Sequence, residues 1–354
     1  MARQSGKGFA MRRRALGATI ALSGAAALMF LGSSAGGSFG GSNGKIAADR
    51  HGNIVVMNAD GSSEVTLTST SSDSLPRWSP QGTKIAFVRY DGTGNAIWVM
   101  NADGTGQQRV SDYGREFVQP PVWSPNGLWI VYSDDVPDAQ PRVGAIWKVS
   151  ADGATRTQLT TYGFLNSNPS WSSDGQRIAF DSNADGDAEI WIMGAGGGGK
   201  TQLTHNRVGD FDPAFAPNGS AIAFSHATKG GHGTFLESIK PDGTGLKQLT
   251  STKQSDRLPT WSPDSATLLF ERITAGPGGS LDPDLYRVKP DGTGLLKLTG
   301  SSTVEQDWAW SPDSSLIVFS DSGVRLYRMA ADGSALTLIA QDAQFIGGQD
   351  WQSV

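Results

Sequence analysis

The chain has 354 residues, with 46 glycines, no cysteine and a net charge of −5. Without cysteine there is no disulfide, no thiolate nucleophile and no Cys-ligated zinc or iron–sulfur centre. Five cations and no acid fall within residues 1–35, so the remainder holds 24 basic against 34 acidic residues, a net −10, and an acidic body is a poor match for nucleic-acid phosphates.

The first element is an export segment. Arg12, Arg13 and Arg14 precede an apolar run from about Ala15 to Gly32, and the small residues Ser33 and Ala35 follow at cleavage offsets. That is the three-part plan of a secretory signal peptide spanning residues 1–35, with an uncleaved N-terminal anchor as the alternative. No other transmembrane segment is expected. Residues 36–44, GGSFGGSNG, have the composition of a flexible linker. The Gly-x-Ser-x-Gly matches at Ser38 and Ser42 lack the strand–turn–helix context that a nucleophile elbow requires.

From residue 45 to 354 one unit recurs. Its marker is an aromatic before a turn: Trp78, Trp123, Trp171, Phe215, Trp261, Trp310 and Trp351, in motifs such as WSPQG, WSPNG and WSPDS. After each of the first six comes an apolar run (KIAFV, LWIVY, RIAF, AIAF, TLLF, LIVF), a second run ending in a turn (AIWVMNADG, DLYRVKPDG) and a short strand such as TQLT. β-Branched and aromatic enrichment with Asp-Gly turns predicts four strands per unit, and a unit of about 45 residues is the size of a propeller blade. The segment after residue 44 has the second, third and fourth strands of a unit but no first. The C-terminus, QDWQSV, has a first strand and nothing after it. Joining them closes a ring without open sheet edges. The expectation is an all-β, seven-bladed β-propeller, with six blades if the first unit is irregular.

The repeated Trp-Ser-Pro-Asp/Asn-Gly followed by IAF and IWVMNADG resembles the TolB-like, or PD40, class of β-propeller repeats. The resemblance covers about residues 44–354. It implies a propeller fold and a periplasmic, extracellular or cell-surface location, in a family of scaffold proteins and of propeller domains attached to peptidases.

Strand direction sorts the loops. First and third strands run one way, second and fourth the other, so the connections from first to second and third to fourth strand share one face. That face is short and regular. The connections from second to third strand, and from one blade to the next, share the opposite, variable face, where function concentrates. The Trp is expected to fill the wedge between blades, and the Asp-Gly turns to be structural. On the variable face the inter-blade loops carry Asp73, Asp210, Asp212, Asp256, Glu305 and Asp307, with Arg115, Arg207 and Arg257 among them. This is a candidate binding surface for a cation, a basic peptide or a sugar.

One stretch, DSNADGDAEIW, places Asp181, Asn183, Asp185 and Asp187 at alternate positions with Gly186, similar to a calcium loop, although Ile192 stands where that loop ends in Glu. The four histidines, His51, His205, His226 and His232, have no metal-ligand spacing, but the last three fall on the variable face. Calcium or another divalent metal therefore remains open, with Asp181, Asn183, Asp185 and His205 as candidates. Two functions follow. One is a monomeric, non-catalytic scaffold for an envelope or extracellular protein or peptide, with no cofactor. The other is a metal-assisted propeller lyase or hydrolase acting on a carbohydrate or lactone.

Overall fold

The computed structural model describes residues 39–354 except 113–119, 137–138, 140–141, 232, 276–280, 301–304, 322–323 and 342–345. The expected export segment, Arg115 and His232 lie outside the described residues. No helix of the described residues is long and apolar enough to cross a membrane.

Seven four-stranded antiparallel sheets form, in the strand order the repeat implies. They are numbered here by the aromatic of the innermost strand: blade 1 (Asp73–Trp78), blade 2 (Val122–Trp123), blade 3 (Asn166–Trp171), blade 4 (Asp210–Phe215), blade 5 (Ser255–Trp261), blade 6 (Glu305–Trp310) and blade 7 (Ile346–Ser353). Each second strand carries a continuous apolar run, not an alternation, because each sheet packs on both faces. Ile85, Ala86, Phe87 and Val88 of blade 1 are all buried, as a continuous apolar run predicts.

The repeated aromatic joins neighbouring blades. Trp123 packs with Ala86, Val88, Ile97 and Val99 of blade 1 and with Ile130 and Val149 of its own blade. Its indole Nε1 donates to the Arg77 carbonyl at 3.0 Å, and Trp261 does the same to the Ala214 carbonyl at 3.0 Å. Burying such a ring removes most of about 150–250 Å² from water.

Blade 7 is composite, as expected. Its inner strand is the C-terminal Ile346–Ser353, paired antiparallel with Asn43–Arg50, and Ile46 stands opposite Trp351. Ser42 and Val354 exchange two backbone hydrogen bonds, of 3.0 and 3.1 Å. The N-terminal strand thus starts at Asn43, two residues ahead of the boundary expected from composition, because Ser353 is there to pair with it. Trp351 is buried between Ile46, Val55 and Met57 of its own blade and Val318 and Leu326 of blade 6.

A second feature repeats around the channel. Three residues before the aromatic, the inner strand of six blades takes up a left-handed backbone: Leu75 (φ 54°), Asn168 (52°), Asp212 (57°), Leu258 (57°), Asp307 (45°) and Gly348 (60°). The pairing register slips at each, so these are β-bulges. In blade 2 the same position is Pro120, whose ring holds φ near −65°, and there the inner strand shrinks to Val122–Trp123. A non-glycine residue in this conformation costs about 1–2 kcal/mol. The bulge gives a bond across blades in return. The Leu75 amide donates to Asp49 Oδ2 of blade 7 at 3.2 Å, the Leu258 amide to Ser225 Oγ of blade 4 at 3.3 Å, and the Gly348 amide to Asp307 Oδ2 of blade 6 at 3.1 Å.

Candidate functional site

At the variable-face start of the inner strands of blades 1, 3, 4 and 5 stands the residue five positions before the aromatic, first in the strand in blades 1, 3 and 4 and second in blade 5. That residue lies opposite one in the second strand four positions after its first apolar residue. The pairs are Asp73–Arg89, Asn166–Ser182, Asp210–His226 and Asp256–Arg272. Opposed side chains on antiparallel strands touch, and all four pairs do. Arg89 clasps both oxygens of Asp73 at 2.6 and 2.9 Å, and Arg272 both oxygens of Asp256 at 2.6 and 2.7 Å. Each guanidinium also lies over an aromatic of the third strand, Trp98 at 4.5 Å and Tyr286 at 4.7 Å. Ser182 Oγ donates to Asn166 Oδ1 at 2.9 Å. In blade 4 the ring of His226 meets Asp210 Oδ1 through Nδ1 at 2.6 Å and tilts against Phe235 at 4.8 Å.

The expected site residues therefore separate. Asp73 and Asp256 are buried and neutralised within their own blades. Asp212 and Asp307 sit on the bulges lining the channel, beside Asp49, Asp181 and Asp350. Glu305 opens the inner strand of blade 6, and only its backbone is described. Arg257 pairs with Glu271. Burial pushes Asp49 up to about 7, with Asp307 adding to the rise, and pushes Asp212 up to about 7, with Asp181 adding. Burial also raises Asp181, and raises Asp350 to about 6 against the pull of Arg77.

The calcium-like stretch divides as well. Asp181 turns its oxygens to Ser167 Oγ (2.7 Å) and Asn168 Nδ2 (2.6 Å), and Asn183 Oδ1 accepts from the Leu165 amide at 2.8 Å. His205 is exposed on the loop between blades 3 and 4. Asp185 goes elsewhere: with Asp187 and Glu189 it brings one carboxylate oxygen each to within 4.8 Å of one another. Glu189 is completely buried. It accepts from Thr204 Oγ1 (2.5 Å), from the Asn206 amide (2.7 Å) and from Asn206 Nδ2 (3.2 Å), while Asn206 Nδ2 also reaches Asp210 Oδ2 at 2.9 Å. Asp187 Oδ2 is buried without a hydrogen-bond partner among the described residues. Three oxygens of this kind could hold a hard cation.

The result is one acid-rich cluster across blades 3 and 4: Asp185, Asp187 and Glu189 together, and beside them Asp210 and Glu237, which approach His226. Glu237 Oε2 lies 3.6 Å from His226 Nδ1. Burial, with Asp210 adding, pushes Glu189 up to about 7, and burial raises Asp187 and Glu237. Asp210 raises His226. Asp185, Asp187 and Asp210 stand out in the sequence, whereas Glu189, Glu237 and the role of His226 do not. Aligning the second strands in register would have shown it, since one column reads Arg89, Ser182, His226, Arg272.

The opposite face is self-contained. Six aspartates of its Asp-Gly turns, Asp60, Asp103, Asp152, Asp242, Asp291 and Asp332, are held below the usual carboxylate range by Ser or Thr hydroxyls and a neighbouring amide.

The model of the TolB beta propeller domain (PD40) matches residues 42–282. The chain belongs to the TolB β-propeller family. Among solved structures, this TolB-like propeller is similar to a putative TolB from Agrobacterium tumefaciens, with 21% identity, a TM-score of 0.56, and coverage of 78% of this chain and 96% of that one. It is also similar to an oligogalacturonate lyase from Vibrio parahaemolyticus, with 12% identity, a TM-score of 0.59, and coverage of 85% and 87%. At these identities the likeness is one of fold. A curated relative, described as the uncharacterized peptidase YuxL of Bacillus subtilis (strain 168), is 26% identical over 118 residues, and the match spans 17% of that protein.

Proposed function

We propose that the protein is exported and acts as a monomeric, non-catalytic scaffold, binding an envelope or extracellular protein or peptide through its variable face. One observation carries this reading. The turn face spends its recurring polar side chains on its own backbone, whereas the variable face gathers an acid-rich cluster at blades 3 and 4 under loops that differ from blade to blade. A basic segment is the partner chemistry such a surface favours. The TolB-like fold and the export segment read from the sequence support the compartment.

Retention of partners from envelope extract by the immobilised protein tests the reading. Charge reversal at exposed Asp185 and Asp242 separates the faces: Asp185→Lys is expected to reduce retention and Asp242→Lys to leave it unchanged. Equal retention by both variants and the parent counts against the variable face.

A second reading, a metal-assisted lyase or hydrolase acting on a carbohydrate or lactone, draws on the Asp185–Asp187–Glu189 oxygens and on the unpartnered Asp187 Oδ2. Its test is the divalent-metal content of the purified protein. A stoichiometric metal lost in Asp187→Asn would favour it.

A further inference from the structure

The pairing slot at the start of the inner strand is filled by arginine and aspartate in blades 1 and 5 and by histidine and aspartate in blade 4. The three slots share a register, a buried aspartate and an aromatic under the cation. They differ in one chemical respect: arginine keeps its charge at every pH a protein meets, and histidine does not.

The surroundings of His226 make that difference matter. On its own blade it faces Asp210 of the inner strand and Glu237 of the third strand. From blade 3 come Glu189 and, from the turn before it, Asp187. Asp212 lies on the inner strand and accepts from Ser225 Oγ at 3.2 Å. From blade 5 come Asp256, already clasped by Arg272, and Arg257, engaged by Glu271. His205, Arg207 and Lys229 are exposed on the flanking loops. His226 is thus the one cationic group in contact with Asp210 and Glu237 among the described residues.

The same residues fasten the loop at 204–209. The Asn206 amide is held by Glu189 (2.7 Å) and its side chain by Asp210 (2.9 Å). The Val208 amide is held by Asn206 Oδ1 at 2.8 Å. Ala227, next to His226, donates its amide to the Gly209 carbonyl at 2.8 Å, and the Asp210 amide reaches the Ala188 carbonyl at 2.7 Å.

We infer that the His226–Asp210 slot is a proton-operated latch on the variable face: with His226 protonated, the loop at 204–209 is clamped between blades 3 and 4, and loss of that proton loosens it. Neutral imidazole leaves Asp210 and Glu237, which both approach its Nδ1, without a cation in contact, and close like charges repel. The sign follows from linkage. Contact with Asp210 raises the folded pKa of His226 above its unfolded value, so the clamp is present at acid pH and lost as pH rises through the folded pKa. The latch does not depend on what the face binds.

Blades 1 and 5 supply the control, because they show that arginine fits the slot. Amide hydrogen exchange of residues 204–210, corrected for intrinsic rates, is measured at pH 5.5 and pH 8 in the parent protein and in His226→Arg. The parent is expected to lose protection by about tenfold or more, the size of a 1.4 kcal/mol change. His226→Arg is expected to lose several-fold less, with Glu189 and Glu237 titrating in both. Equal losses in the two proteins, or no loss in the parent, would overturn the latch. If His226→Arg does not fold, NMR titration of the parent decides. A His226 pKa above 6.5 supports the latch, and one at or below that ordinary value overturns it.

Discussion

Removing residues 349–354 attacks the ring at its closure, and the structure sets the size of the effect. Trp351 is 4% exposed and packs between blades 6 and 7. Truncating a buried Trp costs about 3–5 kcal/mol. Asp350 Oδ2 accepts from the Trp78 amide at 2.7 Å, and orphaning a part-buried amide costs about 1–3 kcal/mol. The Lys45 amide and the Gly82 carbonyl lose Gln352, and the edge of Asn43–Arg50 is laid open. Against a total stability of about 5–15 kcal/mol, the deletion is expected to unfold the protein or drive it to associate by the exposed edge. Trp351→Ala alone is expected to lower Tm by on the order of 10 °C, given a few degrees per kcal/mol. Light scattering after gel filtration, with thermal melting by circular dichroism, reads both. A truncated protein that stays monomeric and melts like the parent would refute closure by this strand.

Stability is expected to fall between pH 5 and pH 8. Asp49, Asp212 and Glu189 are raised to about 7 and Asp350 to about 6 in the folded state. A carboxyl raised by folding favours the native state when protonated, and that contribution is lost as pH rises through the folded value. Urea midpoints at the two ends of the range check this, and a higher midpoint at pH 8 contradicts it. Asp73→Ala leaves Arg89 buried without its carboxylate and is expected to cost about 3–5 kcal/mol; chemical denaturation reads the loss, and a cost below about 1 kcal/mol would show that the pair contributes little. Gly348→Ala places a Cβ 2.9 Å from Asp49 Oδ2 and 3.0 Å from Leu75 Cα at φ 60°. It is expected to destabilise by about 1–2 kcal/mol from the backbone alone, and an unchanged melt would show that the bulge can shift.

Blade number, strand order and closure were legible in the sequence because they rest on local signals: Trp spacing, turn chemistry and apolar runs. The bulges were partly legible: Asn168, Asp212, Asp307 and Gly348 are residue types that tolerate a left-handed backbone, but Leu75 and Leu258 carry no mark of one. The candidate site was half legible. Asp73 and Asp256 read as rim acids, but whether an acid is free depends on the residue opposite it, and Arg89 and Arg272 lie 16 residues away across a hairpin. The alternating acids of residues 181–187 looked like one loop. The strand ends at Ser182, so Asp181 stays in the channel while Asp185 swings to the turn.

The central functional claim is that the variable face engages a partner, and photo-cross-linking in the producing cell tests it most directly. A photoreactive residue replaces Asp185 or Arg207 on that face, or Asp242 on the turn face. Cross-links to one partner from positions 185 and 207, and none from 242, are the result expected. Cross-links from 242 alone, or none from any position, would contradict it.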